Sequence, residues 1–132
     1  MKNDVVYVDN NATTRMDPDV LDSMMPYLTD YYGNPSSIHT FGGQVRNAVE
    51  KGRGQVAQLI GADPEEVIFT SCGTESDNAA ILSALENNVR RRKIVTSRVE
   101  HPAVLSLCTV LQGRGYHVEY VPVNNKGQLC LD

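Results

Sequence analysis

The sequence predicts an α/β fold in which a mostly parallel sheet is flanked by helices. Residues 67–69 and 94–96 are short runs dominated by apolar side chains, the pattern of strands that are buried on both faces of a sheet. Residues 116–120 alternate between apolar and polar side chains, which indicates a third strand. Segments with helical periodicity separate the three runs, and this alternation of strand and helix is typical of a parallel α/β sheet.

The chain opens with a short extended run over residues 5–8, which a polar loop follows. Asp17 and Pro18 then supply an N-cap and a first-turn proline for a helix whose apolar residues recur at helical spacing. Pro26 lies inside this helical segment. Because proline has no backbone N–H to donate, we expect it to kink or shorten the helix.

A second helix is predicted from one apolar stripe over residues 41–60, with Gly61 as its C-cap. Residues 52–57 match the G-x-G-x-x-A spacing of dinucleotide-binding folds, but they lie inside this stripe and follow no strand. We therefore interpret the match as chance. An Asp-Pro pair at residues 63–64 opens a short turn before the first predicted strand.

The corner between the first predicted strand and the next helix has the features of an anion site. Residues 71–74 (Ser-Cys-Gly-Thr) form this corner, and a helix is expected to begin near Glu75. Backbone N–H groups at such a helix start point beyond the strand, Gly73 permits close approach, and the two hydroxyl groups can bond to phosphate. The alternative is ordinary capping, with Thr74 as the N-cap and Asp77 three residues later.

A second corner follows the next strand. Pro102 begins another helix there, so we expect His101 to lie at the same edge of the sheet as residues 71–74. An imidazole in this place can stack on an aromatic cofactor ring or shuttle a proton. The alternative is a histidine that satisfies a local backbone hydrogen bond. His39 and His117 are expected to be surface residues.

Composition excludes several classes of function. The 132 residues carry a net charge of −4, which argues against nucleic acid or an anionic membrane as a partner. The three cysteines are far apart and include no CxxC pair, so neither a metal site nor a disulfide framework is indicated. The first ten residues do not resemble a signal peptide, and no segment has the length of a bilayer span. We therefore expect a reducing, cytoplasmic compartment.

Four motifs occur in order along the chain. They are Tyr-Val-Asp-Asn-Asn-Ala-Thr-Thr at 7–14, Gly-Asn-Pro-Ser-Ser with a following histidine at 33–39, Phe-Thr-Ser-Cys-Gly-Thr-Glu-Ser-Asp-Asn at 69–78, and Glu-His-Pro-Ala-Val at 100–104. Together they resemble the motifs of the NifS/IscS cysteine desulfurases, within the class V aminotransferase family. The resemblance covers essentially the whole chain, and four motifs in register are far more specific than any one of them.

The resemblance implies the N-terminal part of the large domain of a fold type I pyridoxal-phosphate-dependent transferase. Residues 1–15 are expected to pack with the family's small domain, and residues 16–132 to form the first, incomplete part of the large domain. A homodimer is implied as well. The chain stops at Asp132, a good N-cap residue with no helix after it, which favours a fragment, a truncated product or one half of a split protein.

The resemblance also implies roles for individual residues. Gly73 and Thr74 match positions that hold the phosphate of pyridoxal phosphate, and His101 matches the catalytic histidine that stacks on the pyridine ring and takes part in proton transfer. Cys72 is interpreted as a small packing residue, not the sulfur-accepting cysteine. Residues near the substrate pocket are matched by Asn11, Ala12, Thr13 and Asn34.

The function implied for the complete protein is removal of sulfur from L-cysteine, giving L-alanine and an enzyme persulfide for iron–sulfur cluster or thio-cofactor assembly. An iron–sulfur scaffold or other sulfur-acceptor protein is the implied partner. The family's Schiff-base lysine and persulfide cysteine lie beyond the matched segment, so we expect this chain alone to be inactive. The alternatives are another class V enzyme, such as a selenocysteine lyase or an aminotransferase, and a non-catalytic half that pairs with a complementary C-terminal chain. None of the four lysines, Lys2, Lys51, Lys93 and Lys126, falls in a matching motif.

Overall fold

The chain divides into two compact units, Met1–Ile68 and Phe69–Asp132, and the computed structural model describes residues 5–130 of it. The expectations for Lys2 and Asp132 therefore lie outside the described residues. The first unit contains helices α1 (Pro18–Thr29) and α2 (Thr40–Ile60) and a 3₁₀ turn (Pro64–Glu66). The second contains α3 (Gly73–Glu86), β1 (Lys93–Ser97), α4 (Pro102–Gly113) and β2 (His117–Val121).

Helix α1 begins where its capping residues predict. The Asp17 carboxylate accepts the Asp19 N–H at 2.9 Å, and Pro18 occupies the first helical position, where no donor is required. The helix ends at Thr29, three residues after Pro26, in agreement with the predicted shortening. Its apolar side chains remain exposed by 40% or more, so the predicted apolar face is not covered by other described residues of its unit.

Helix α2 is capped at both ends by side-chain and backbone geometry. His39 is its N-cap and accepts the Gly42 N–H at Nδ1, at 3.1 Å. Gly61 takes the left-handed conformation, with φ of 70°, that a C-cap of this kind requires. Residues 52–57 lie inside α2, which confirms that their glycine spacing is not a dinucleotide-binding turn.

The 3₁₀ turn packs against α2 through a charged side chain. Glu66 accepts the Asp63 N–H at 2.9 Å and closes a capping box around the turn. The Arg53 guanidinium donates to the Val67 carbonyl and pairs with Glu50 at 3.1 Å. Val67 is buried, as is Ala57 of α2 in the core of this unit.

The second unit is a small α/β layer. Strands β1 and β2 pair in parallel, from Lys93 opposite His117 to Ser97 opposite Val121, as the sequence predicts. Helix α4 contacts both β2 and α3. Its inward face carries Leu107, Cys108 and Leu111, which are 9%, 0% and 1% exposed.

One of the three predicted strands is wrong. Residues 67–69 belong to no strand of the described chain, and Ile68 is 81% exposed. A strand needs a neighbouring strand, and neither β1 nor β2 pairs with this segment. Residues 5–8, where we expect a short extended run, lie in no helix or strand. The sheet in the described part of the chain thus has two strands, and Val95 of β1 stays 60% exposed instead of being buried on both faces.

The remaining expectations about organisation have different outcomes. The α/β class with a parallel sheet is confirmed. A turn follows β2 at residues 124–127, with Gly127 at φ 75° and its N–H bonded to the Asn124 carbonyl at 3.0 Å. The domain division between residues 15 and 16 stays a prediction. No helix within residues 5–130 combines the length and apolar character that crossing a membrane requires.

We predict that Leu111→Ala destabilises the second unit by about 2–5 kcal/mol, because it removes a fully enclosed side chain and leaves a cavity. Urea titration followed by the amide signals of β1 and β2 measures the change. Val110→Ala is the matched control, since Val110 is 50% exposed and its truncation leaves no enclosed cavity. Equal shifts for the two variants would contradict the assignment of Leu111 to the core.

Candidate functional site

The corner at residues 71–74 presents unsatisfied backbone donors. Helix α3 begins at Gly73, two residues earlier than predicted, so the N–H groups of Gly73 and Thr74 have no carbonyl partner inside the helix. A Cβ added at Gly73 would meet no atom within 4 Å apart from its chain neighbours and its own helix backbone, so the space beside this residue is open. Cys72 is in the N-cap position and Thr74 is the second helical residue. The alternative in which Thr74 caps the helix is therefore wrong.

Two side-chain pairs brace this corner. The carboxylate oxygen Oε2 of Glu75 accepts both the Ser71 N–H, at 2.7 Å, and the Ser71 hydroxyl, at 2.6 Å. The hydroxyls of Thr70 and Ser76 lie 2.6 Å apart and are hydrogen bonded. The sequence predicts that the Ser71 hydroxyl bonds to a phosphate, but the hydroxyl donates to Glu75 instead. The same bonds, with the Ser71 hydroxyl contributing most, lower the pKa of the Glu75 carboxyl.

Cys72 is an exposed thiol among hydrogen-bond donors. The backbone N–H of Glu75, followed by the Ser71 hydroxyl and the N–H of Thr74, lowers the pKa of the Cys72 thiol, while desolvation and the negative charge of Glu75 oppose this shift. Neither N–H reaches the sulfur in a full capping hydrogen bond. Cys108 is different, because burial raises the pKa of its thiol.

His101 lies at the second corner, at the start of α4. Its Nδ1 accepts the Ala103 N–H at 3.2 Å. The local backbone hydrogen bond given above as the alternative is therefore present at this nitrogen. Because Nδ1 is the acceptor, the neutral ring carries its proton on Nε2. Ser97, which is buried at the end of β1, donates to Glu100 at 2.9 Å and so fixes the connection between β1 and His101.

The two corners open onto one cleft. Thr74 and Asn78 of α3 line it from one side, and His101 with residues of α4 lines it from the other. Its volume is about 440 Å³, large enough for a small cofactor. The Thr74 hydroxyl has no hydrogen-bond partner among the described residues, so it is available to a ligand. The lining residues from α4 are Pro102, Ala103, Ser106, Leu107 and Val110.

Sequence reasoning missed two polar residues of this cleft. Asn78 donates to the Thr74 carbonyl at 2.6 Å from one turn further along α3, and Ser106 stands one turn after Pro102 on α4. Both could have been found, because residues four positions apart share a helix face.

The remaining predicted site residues belong to the first unit. Ala12 donates its N–H to the Asp9 carbonyl at 3.1 Å, and the Thr13 hydroxyl is bonded to that of Tyr7 at 2.5 Å. Asn34 accepts the Ser36 N–H at 2.8 Å in a tight turn. Asn11, Ala12, Thr13 and Asn34 are all exposed. Their assignment to a substrate pocket stays a prediction.

Known proteins resemble this chain over nearly all of its length. The family profile described as "Aminotransferase class-V" matches residues 6–132. A cysteine desulfurase of Nostoc sp. (strain PCC 7120) is 62% identical over 128 residues, which are 97% of this chain and 32% of that protein. The cysteine desulfurase NifS of Azotobacter vinelandii is 53% identical over 128 residues, with 96% of this chain and 32% of NifS covered.

The solved structure of a NifS-like protein matches with a TM-score of 0.87 and 43% identity, covering 96% of this chain and 35% of that one. The resemblance to NifS-type cysteine desulfurases is therefore confirmed. The chain spans about a third of the length of the curated relatives it matches.

We predict that iodoacetamide modifies Cys72 in the native chain at neutral pH while Cys108 stays unmodified. Cys72 is exposed and its lowered pKa raises the thiolate fraction, whereas Cys108 is buried with a raised pKa. Peptide mass spectrometry over a pH series measures both rates, and alkylation in urea serves as the control that both thiols can react. Native modification of Cys108 at the rate of Cys72 would contradict the described environments.

Proposed function

Because the chain belongs to the class V aminotransferase family, we propose that it supplies the cofactor-phosphate corner and the ring-stacking histidine of a cysteine desulfurase. One observation carries the proposal: Thr74, beside the open N–H groups of α3, and His101 line the same cleft. The relatives that are named cysteine desulfurases supply the choice of reaction within the family.

The residues of the cleft fit pyridoxal phosphate. A phosphate needs several donors and room to approach, and the corner offers the N–H groups of Gly73 and Thr74, the Thr74 hydroxyl and open space at Gly73. An aromatic ring needs a flat neighbour, which the His101 imidazole provides. When bound, the cofactor supplies an electron sink for bond cleavage in an amino-acid substrate.

The residues of this chain would bind and orient the cofactor and move a proton. Gly73 and Thr74 hold the phosphate, so the cofactor ring has a fixed anchor. His101 covers the ring and exchanges protons at Nε2, since Nδ1 is occupied by the Ala103 N–H. The side chains of Leu107 and Val110 add apolar surface to the same cleft.

The substrate of the complete protein is L-cysteine in this proposal. Its sulfur passes to a thiol of the enzyme, so that L-alanine and an enzyme persulfide are formed, and a sulfur-acceptor protein then receives the sulfur for iron–sulfur clusters or thio-cofactors. A cytoplasmic location and a homodimer belong to the same proposal. The Schiff-base lysine and the persulfide cysteine are to be supplied by sequence that corresponds to the rest of the relatives' length.

A chimera tests this function. With a dithiol reductant present to reduce the enzyme persulfide, we predict sulfide release from L-cysteine, with one alanine for each sulfide, when this chain replaces the matching 128 residues of the Nostoc cysteine desulfurase. This chain by itself is expected to release none, and mixing it with the remaining segment of the Nostoc protein tests whether the two parts work as separate chains. A folded chimera that acts on selenocysteine alone, or only as an aminotransferase, would refute the proposed substrate.

His101→Asn in the same chimera tests the role of the imidazole. Asparagine still caps a helix, so the melting temperature should change little, but the ring and Nε2 are lost and we expect kcat to fall about 100-fold or more. His117→Asn is the matched control, because His117 is an exposed histidine of the same unit outside the cleft lining. Equal activity of the two variants would remove His101 from the mechanism.

A further inference from the structure

Glu75 places a negative charge beside the donors proposed to hold a phosphate. It is the third residue of α3, within one turn of the N–H groups of Gly73 and Thr74. By charge alone, its carboxylate should repel an anion at this corner. Its hydrogen bonds indicate a different role.

The Glu75 carboxylate is bound to the segment that leads into the helix. In a capping box, the third helical residue reaches the N–H of the N-cap residue, which here is Cys72. Glu75 instead reaches one residue further back, to the N–H and the hydroxyl of Ser71. Bonds to an ionised acceptor are about twice as strong as neutral ones, so this pair is the strongest tie of the corner.

A second pair ties the same segment to the next helical residue. The Thr70 hydroxyl is bonded to that of Ser76 at 2.6 Å and lies 3.1 Å from the Cys72 carbonyl. The extended residues before α3 are thus held to its first turn on two sides. This fixes the direction in which the N–H groups of Gly73 and Thr74 point.

We propose that Glu75 is a positioning residue, whose two bonds to Ser71 hold the corner in the shape that binds a phosphate and so strengthen phosphate binding despite its own charge. The inference rests on the proposed function, since it assumes that this corner binds the cofactor's phosphate. A positioning role and a pure charge effect predict opposite changes in phosphate affinity. Removal of the carboxylate weakens phosphate binding if it positions the corner and strengthens it if only its charge matters.

The test is a titration of the full chain with pyridoxine 5′-phosphate, which has no aldehyde and therefore forms no adduct with lysines. Pyridoxine without phosphate is the reference ligand, and chemical shifts of the corner amides report binding. We expect Glu75→Ala to weaken phosphate-dependent binding about fivefold, the cost of leaving a loop to be ordered by the ligand. Glu75→Gln keeps an oxygen acceptor for Ser71 and should stay within about twofold of the native chain.

Glu86→Ala is the matched control, because it removes the same charge from the other end of α3. Amide hydrogen exchange supplies a readout that needs no ligand: the Ser71 N–H should exchange about tenfold faster in Glu75→Ala and be unchanged in Glu86→Ala. The double variant Ser71→Ala, Glu75→Ala should bind no more weakly than Glu75→Ala alone, because one interaction is lost in both.

Each outcome decides between the inference and the proposed function. If the native chain binds pyridoxine 5′-phosphate no better than pyridoxine, the proposed cofactor corner fails and the inference fails with it. If the native chain binds and Glu75→Ala binds equally well or more tightly, the inference alone is overturned. Two further results also overturn the inference. One is an unchanged exchange rate of the Ser71 N–H in Glu75→Ala, and the other is an additive loss of affinity in the double variant. Either result would mean that Ser71 acts without Glu75.

Discussion

The buried face of α4 is the interaction on which the second unit depends. Leu107, Cys108 and Leu111 exclude water between this helix and its neighbours, and α4 contacts both β2 and α3. Since His101 is the N-cap of α4 and Thr74 lies in the first turn of α3, this packing decides how far apart the two side chains lie. The cleft is thus a consequence of apolar burial, while its chemistry comes from polar groups that the burial leaves at the rim.

Local signals in the sequence were sufficient for much of the fold. Asp17 and Gly61 mark helix ends because their preferences act within a few residues, and the strands at 93–97 and 117–121 follow from short apolar patterns. The failure at residues 67–69 has a physical cause. An apolar pattern shows that a segment can be a strand, but strand pairing depends on distant residues, and neither β1 nor β2 pairs with this segment.

The candidate site, like the fold, could be predicted from the sequence only in part. Gly73, Thr74 and His101 could be selected from the sequence because each lies at a strand-to-helix or loop-to-helix corner within a recognisable motif. Their common cleft needed the packing of two helices, which periodicity does not give. The bond between Ser71 and Glu75 was missed because both side chains had other partners open to them, and only the coordinates show which was chosen.

The two ring nitrogens of His101 have separate roles. Nδ1 accepts a backbone N–H of α4, so a 180° rotation of the ring would break this helix cap. The same rotation would put a ring carbon where Nε2 now lies. The hydrogen bond from Ala103 therefore favours one orientation and one tautomer of the neutral imidazole. Because this bond belongs to the first turn of α4, a mutation that frays the start of the helix would also release the ring, even at a position that does not touch His101.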